Sequence, residues 1–184
     1  MLTIMAETFR HRIANDADIP ALREVMRLAI EQLQHQFLSP VQVAASHKVM
    51  GLDSQLVRDG TYFVVEAGGR IAGCGGWSFR ATLFGGDDSI VAREPARLDP
   101  LRDAAKIRAM YTDPAFVRRG VGALILDLCE AAARQAGFAR VELMGTAAGV
   151  PLYRSCGYSP LGPLDQVAVG EVLVPLQRMI KSLV

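Results

Sequence analysis

The chain has only three cysteines, Cys74, Cys129 and Cys156, an odd number without metal-ligand spacing. That speaks against a disulfide framework or a cysteine-bound metal, and the expectation is reduced thiols in a cytoplasmic chain with no metal. Neither sign of charge is in excess: 20 Lys and Arg against 19 Asp and Glu leave a formal net charge of +1. A balance so close to neutral gives no global case for binding nucleic acid or an anionic membrane. The opening stretch MLTIMAETFRHRIAND has no sustained apolar run, so neither a signal peptide nor a membrane span is expected there. Internal repeats and low-complexity segments are also missing.

What is present is enough apolar material for a packed core. Hydrophobic residues make up 51% of the 184 positions and charged residues 21%, which points away from disorder. The length fits a single domain over residues 1–184.

The stretch Lys106 to Ala136, KIRAMYTDPAFVRRGVGALILDLCEAAARQA, organises the rest. It reads as a strand, a short basic loop with two glycines, and a helix. Val121, Leu124, Ile125, Leu128 and Ala132 share one helical face. Gly137 is the expected stop. Glu130 and Arg134 stand four apart and predict an ion pair on the opposite, solvent face. Cys129 falls inside the pattern and reads as packed rather than reactive.

The helix opens at Arg119-Gly120-Val121-Gly122. Its first amides lack intrahelical partners and carry the positive end of the helix dipole. Two glycines without Cβ allow close approach, and Arg118 and Arg119 add fixed charge. These features suit a phosphate or pyrophosphate. They also fit an ordinary helix start with a solvated Arg pair. A dinucleotide fingerprint would need a glycine where Ile125 stands, in a tight turn directly after the strand. Glu142 lies at the distance of a ribose-binding acid, which is one matching element only. A Walker A loop would need Gly-Lys-Ser/Thr where the chain has Gly122-Ala123-Leu124, so that reading fails.

Along the chain, Phe9 to Ala14 alternates as a first strand. Asn15 or Asp16 caps a helix with apolar face Leu22, Val25, Met26, Ala29, Ile30 and Leu33, running to about Gln36. Ser39-Pro40 opens a second helix, with Ser39 as cap and Pro40 in its first turn, and Asp59-Gly60 ends the helical part. The link His35 to Leu38 is a candidate wall for an acceptor pocket. Thr61 to Glu66 and Ile71 to Phe79 form a hairpin around Gly68-Gly69. Gly73, Gly75 and Gly76 mark a bulge or a close ligand approach. Trp77 reads as core or as pocket lining. Residues 81–103 form a long polar insertion, a functional flap or a disordered segment. Its acidic residues are either solvated or an attraction for a cationic amine.

Ala105 to Thr112 and Arg140 to Met144 flank the glycine helix as parallel strands. A short helix follows at about Gly149 to Cys156. Strands near Gln166–Val169 and Val172–Ile180 close the chain, with Pro175 implying an edge or a bulge. The sum is an α/β chain with a mixed, mostly antiparallel sheet of about seven strands and about four helices.

VRRGVGA, preceded by IRAMYTDP, resembles the acetyl-CoA-binding motif of the GNAT superfamily of N-acetyltransferases, Gln/Arg-x-x-Gly-x-Gly/Ala. Downstream, VELMGTAAGVPLYRSCGYSP resembles that family's next strand and helix. Upstream, FRHRIANDADIPALREVMRLAI resembles its first strand and helix. The likeness covers nearly the whole chain in the expected order. It implies a GNAT-like fold with acetyl-CoA as cosubstrate. Met110, Tyr111 and Thr112 would hold it on the strand, where the family often has a bulge with free amides. Val117, Arg118, Arg119, Gly120, Val121, Gly122 and Ala123 would hold it at the helix start, with Thr146 beside them. Tyr153 matches the family's general acid. Val117 departs from the usual Gln or Arg. Thr146 and Gly149 stand where Asn and Ala are frequent.

The implied reaction is direct transfer of an acetyl group to an amine of a small molecule or a protein. An alkylamine with a pKa of ~10.4 is mostly protonated at neutral pH, and reaching the neutral form costs roughly 4 to 5 kcal/mol. A general base or a desolvated pocket must offset this. Glu31, His35, Glu66, Asp87, Asp88 and Glu94 are all available, and sequence does not choose among them. An oxyanion partner is expected from bulge amides near Met110 and Thr112. The alternatives are a catalytically silent CoA-binding sensor or partner module and, with less support, a nucleotide-phosphate binder. Dimers are common in the family, so a homodimer is a further possible assembly.

Overall fold

In the computed structural model, residues 8–184 are described; the first seven, which belong to the stretch read above for apolar runs, lie outside the described residues. Strands β1 (Arg10–Ile13), β2 (Tyr62–Ala67), β3 (Arg70–Ser78), β4 (Ala105–Thr112), β5 (Arg140–Thr146), β6 (Ser159–Val169) and β7 (Val172–Ser182) make one seven-stranded sheet. The order is β1-β2-β3-β4-β5-β7-β6. Every neighbouring pair is antiparallel except β4 and β5. The mixed sheet and its one parallel pair match the sequence reading.

Side chains alternate across the strands, so each face of the sheet acquires its own core. On β2, Tyr62 and Val64 face α1 (Ile19–Leu33) and α3 (Ser54–Arg58). Val65 and Ala67 face the long helix α4 (Val121–Gln135). Trp77 lies in this second core, edge-on to Phe79 and Phe138, so its packing use holds.

The helical part is broken where the sequence suggested continuity. Ser39 caps α2 (Pro40–Ser46) with a full capping box to Gln42, as expected. The helix then stops at Ser46, whose hydroxyl turns back onto the Gln42 carbonyl at 2.8 Å. Asp53 starts α3 afresh by accepting from the Gln55 amide. α1 ends at Leu33, three residues earlier than predicted.

Two expectations about α4 are corrected. Its buried side chains are Val121, Ile125, Leu126, Cys129, Glu130 and Ala133, while Leu124, Leu128 and Ala132 are only half-buried. The face is therefore rotated from the predicted one. Glu130 does not pair with Arg134. It is buried, accepts from the Tyr158 hydroxyl at 3.0 Å and pairs with Lys181 at 2.7 Å. Arg134 instead donates to the Leu183 carbonyl. Gly137 ends the helix with φ +92°, as predicted.

The insertion is pinned rather than loose. Thr82 and Glu94 pair through the backbone, and Asp87 and Ile90 donate to the Leu52 and Lys48 carbonyls. The Asp87 and Asp88 carboxylates pair with Arg93 and Arg23. The last two strands are longer than predicted. Pro175 pairs only with Gln166 of β6, one residue past the last β5 partner at Leu176. β7 is thus an inner strand whose proline sits where one neighbour has run out.

Candidate active site

The site begins with a bulge. Between β3 and β4, Cys74 pairs with Tyr111 and Gly76 with Arg108, so Gly75 alone stands opposite Ala109 and Met110. Ala109 adopts φ +50°, and its carbonyl accepts from the buried Tyr62 hydroxyl at 2.6 Å. A Cβ on Gly75 would lie 2.3 Å from Met110 Sδ and 2.7 Å from Ile125; one on Gly73 would lie 2.5 Å from Val121. Of the glycines predicted as a bulge or a ligand approach, Gly73 and Gly75 therefore admit helix α4, with Gly75 at the bulge, and Gly76 admits Thr61 and Tyr62.

β4 and β5 pair only at their starts, Ala105 with Val141 and Lys106 with Glu142. Beyond that the bulged β4 turns away and a cavity of about 670 Å³ opens. The start of α4 forms part of its wall. The preceding loop is anchored by Asp113, which accepts from the Ala115 amide and pairs with Arg70. The Phe116 ring is buried, with the Arg70 and Arg119 guanidinium groups over it. Arg118 at φ +63° and Gly120 at φ +85° then turn the chain into the helix. A Cβ on Gly120 would meet open space, whereas one on Gly122 would lie 2.6 Å from Leu152. The absence of a side chain at Gly122 therefore makes room for Leu152 of α5 (Val150–Ser155).

The cavity brings together Met110, Tyr111, Thr112, Val117, Arg118, Gly120, Val121, Gly122, Ala123 and Thr146. Arg119 is not in its wall. The Tyr111 hydroxyl accepts from the Gly51 amide at 2.9 Å, and both residues line the cavity. Thr146 Oγ1 accepts from the Gly149 amide.

Tyr153 lines the same cavity. Its ring is edge-on to Tyr158, and a Cβ on Gly149 would lie 2.8 Å from it. The small residue where Ala is frequent thus makes room for the phenol. Burial pushes the Tyr153 pKa above the ordinary phenol value, so the hydroxyl keeps its proton. It has no hydrogen-bond partner among the described residues.

None of Glu31, His35, Glu66, Asp87, Asp88 and Glu94 lines this cavity. Glu31 pairs with Arg27 and Glu66 with Arg12; Glu94 faces a smaller cavity beside Lys106 and Arg178. Glu142 is buried against Lys106 and Arg178, which rules out the ribose-binding use. Burial and the neighbouring Arg178 charge push the Lys106 pKa down to about 8. Of the His35 to Leu38 link, Gln36 and Phe37 reach the wall.

Sequence reasoning missed Arg108 and Gln34. Arg108 is buried, pairs with Asp53 at 2.9 Å, and donates to the Thr82 and Gly85 carbonyls. It thereby ties the insertion to β4. Gln34 is 4% exposed in the cavity wall. Its Nε2 donates to Met50 Sδ, and its Oε1 is buried without a partner, a situation that costs on the order of 1–3 kcal/mol. Its one signal in sequence is a polar residue continuing the apolar face four positions after Ile30.

The parts fit acetyl-CoA. The bulge leaves the β5-facing edge of β4 without strand pairing beyond Lys106, and the first amides of α4 open on the same cavity as Arg118. Among the described residues no group of three or more His, Cys, Asp or Glu side chains is placed to hold a metal ion. No helix among them is long and apolar enough to cross a membrane.

A sequence model of the acetyltransferase (GNAT) family matches residues 23–158. The chain belongs to this family, whose members are acetyl-CoA-dependent N-acetyltransferases. No curated protein matches the sequence. Among solved structures, a GCN5-related N-acetyltransferase from Rhodopseudomonas palustris superposes with a TM-score of 0.68 at 15% identity, over 99% of each chain. YncA from Salmonella typhimurium, determined with its cofactor acetyl-CoA, gives 0.62 at 19% identity over 95% of this chain and 94% of its own. A ribosomal-protein-alanine N-acetyltransferase from Brucella melitensis gives 0.62 at 22% over 94% and 99%. At these identities the three share a fold with this chain.

Proposed function

We propose that residues 1–184 act as one cytoplasmic N-acetyltransferase domain that moves an acetyl group from acetyl-CoA onto an amine by direct attack. The observation carrying this reading is the convergence on one cavity of the β4 bulge, the start of α4 and the Tyr153 hydroxyl. Acetyl-CoA supplies an activated thioester. The first-turn amides of α4 and the Arg118 guanidinium hold its phosphates. The edge of β4 at Met110 and Thr112 holds its arm and meets the acetyl oxygen as charge develops there.

The apolar cavity favours the neutral amine by disfavouring the ammonium form. The amine gives its proton to water as the N–C bond forms. The C–S bond breaks, the thiolate takes the Tyr153 proton, and water restores the phenol. One observation favours a second reading, a silent CoA-binding module: among the described residues no Asp, Glu or His side chain lines the cavity.

Calorimetric titration with acetyl-CoA, followed by CoA thiol release with a panel of amines, separates the two. The transferase predicts binding and amine-dependent release. Binding with no release from any amine favours the module, and no binding overturns both.

A further inference from the structure

The acceptor end of the cavity has a chemistry of its own, and the inference from it rests on the acetyl-transfer reading. Its wall includes Ile30, Leu33, Phe37, Met50, Phe84 and Leu176. The charged side chains of the whole cavity, among the described residues, are Arg108 and Arg118. Arg108 is engaged by Asp53 and two backbone carbonyls. An acceptor with a second ammonium group would carry that charge into a wall with no free counter-charge, which is far costlier than burying hydrocarbon. An aryl or branched alkyl body, in contrast, gains by leaving water there.

Gln34 is a buried polar side chain in this wall. Its amide nitrogen has only a thioether, a weak acceptor, and its buried Oε1 has no partner. Buried carbonyl oxygens in folded proteins are nearly always paired, with protein or with water, and a turn of the Gln34 amide toward the cavity would let this one take a donor from a ligand. A neutral amine provides one: it can give an N–H to a carbonyl and keep its lone pair for the thioester carbon.

We propose that the acceptor is a monoamine with an apolar aryl or branched alkyl body, and that Gln34 Oε1, turned toward the cavity, takes an N–H of its amino group. The test compares kcat/KM for 2-phenylethylamine, spermidine and a tripeptide with an N-terminal alanine, in the wild type and in Gln34→Leu. Acetyl-CoA affinity is measured on both as a check of folding. Gln34→Met, which keeps the side-chain length without the carbonyl, serves as a second variant if leucine disturbs the fold.

The expected result is a preference for 2-phenylethylamine of at least about tenfold over either other acceptor. Loss of the Gln34 carbonyl lowers kcat/KM for 2-phenylethylamine about tenfold, mainly through KM, with acetyl-CoA affinity unchanged. Preference for spermidine or the peptide overturns the inference, as does an unaltered KM in both variants. Acetyl-CoA binding with no turnover of 2-phenylethylamine also overturns it while leaving the cofactor site standing. Absence of acetyl-CoA binding defeats the underlying reading instead.

Discussion

The Tyr62 hydroxyl donates a 2.6 Å hydrogen bond to the carbonyl of Ala109, the residue whose left-handed backbone (φ +50°) makes the β4 bulge. An alanine gains nothing by itself from that conformation, which costs roughly 1–2 kcal/mol relative to the ordinary one. The bond from a phenol fully buried in the core helps hold it there. Tyr62→Phe keeps the ring and removes the bond. Stability in urea should fall by about 1–3 kcal/mol, and acetyl-CoA affinity should weaken several-fold as the strand straightens. Unchanged affinity in calorimetry would show that the bulge does not depend on Tyr62.

Glu130 joins α4 to Tyr158 and to Lys181 of β7. Removing it leaves a buried hydroxyl and a half-buried ammonium without their acceptor. Glu130→Ala should cost about 3 kcal/mol or more, read as a drop in the urea midpoint. Arg134→Ala, at an exposed position, should cost under about 1 kcal/mol. Equal effects would restore the surface pair that the spacing of these residues suggested.

Tyr153→Phe should lower kcat by about 10²-fold with little change in acetyl-CoA affinity. The pH dependence carries a sign. Burial raises the phenol pKa above its ordinary 10, so the proton-donating form persists through the alkaline range and is lost only above that value. The kcat of the wild type should therefore show no fall between pH 8 and 10 that Tyr153→Phe abolishes. Such a fall in a stopped-assay pH profile would contradict the donor role.

Sequence showed the sheet and the glycine helix well because they rest on local pattern. The strand from Ala105 to Thr112 and the Ser39-Pro40 start are set by neighbours a few residues away. Glu130 was misplaced because its partners, Tyr158 and Lys181, are 28 and 51 residues distant, and spacing along one helix cannot see them. Gly122 and Gly149 also face the side chains of Leu152 and Tyr153, which their places in the sequence do not reveal. The acceptor wall was half legible: Gln36 and Phe37 were on the predicted link, while Gln34 looked like an ordinary helix residue. The insertion became intelligible only through Asp53 and Arg108, which are 55 positions apart and both buried.

The central claim is that acetyl-CoA lies along the bulged β4 and the start of α4. Amide hydrogen exchange with and without acetyl-CoA tests it most directly. The account predicts slowed exchange at residues 109–112 and 118–124, with β1 and the β6–β7 edge unchanged. Slowed exchange confined to other elements, with those two segments unaffected, would contradict it.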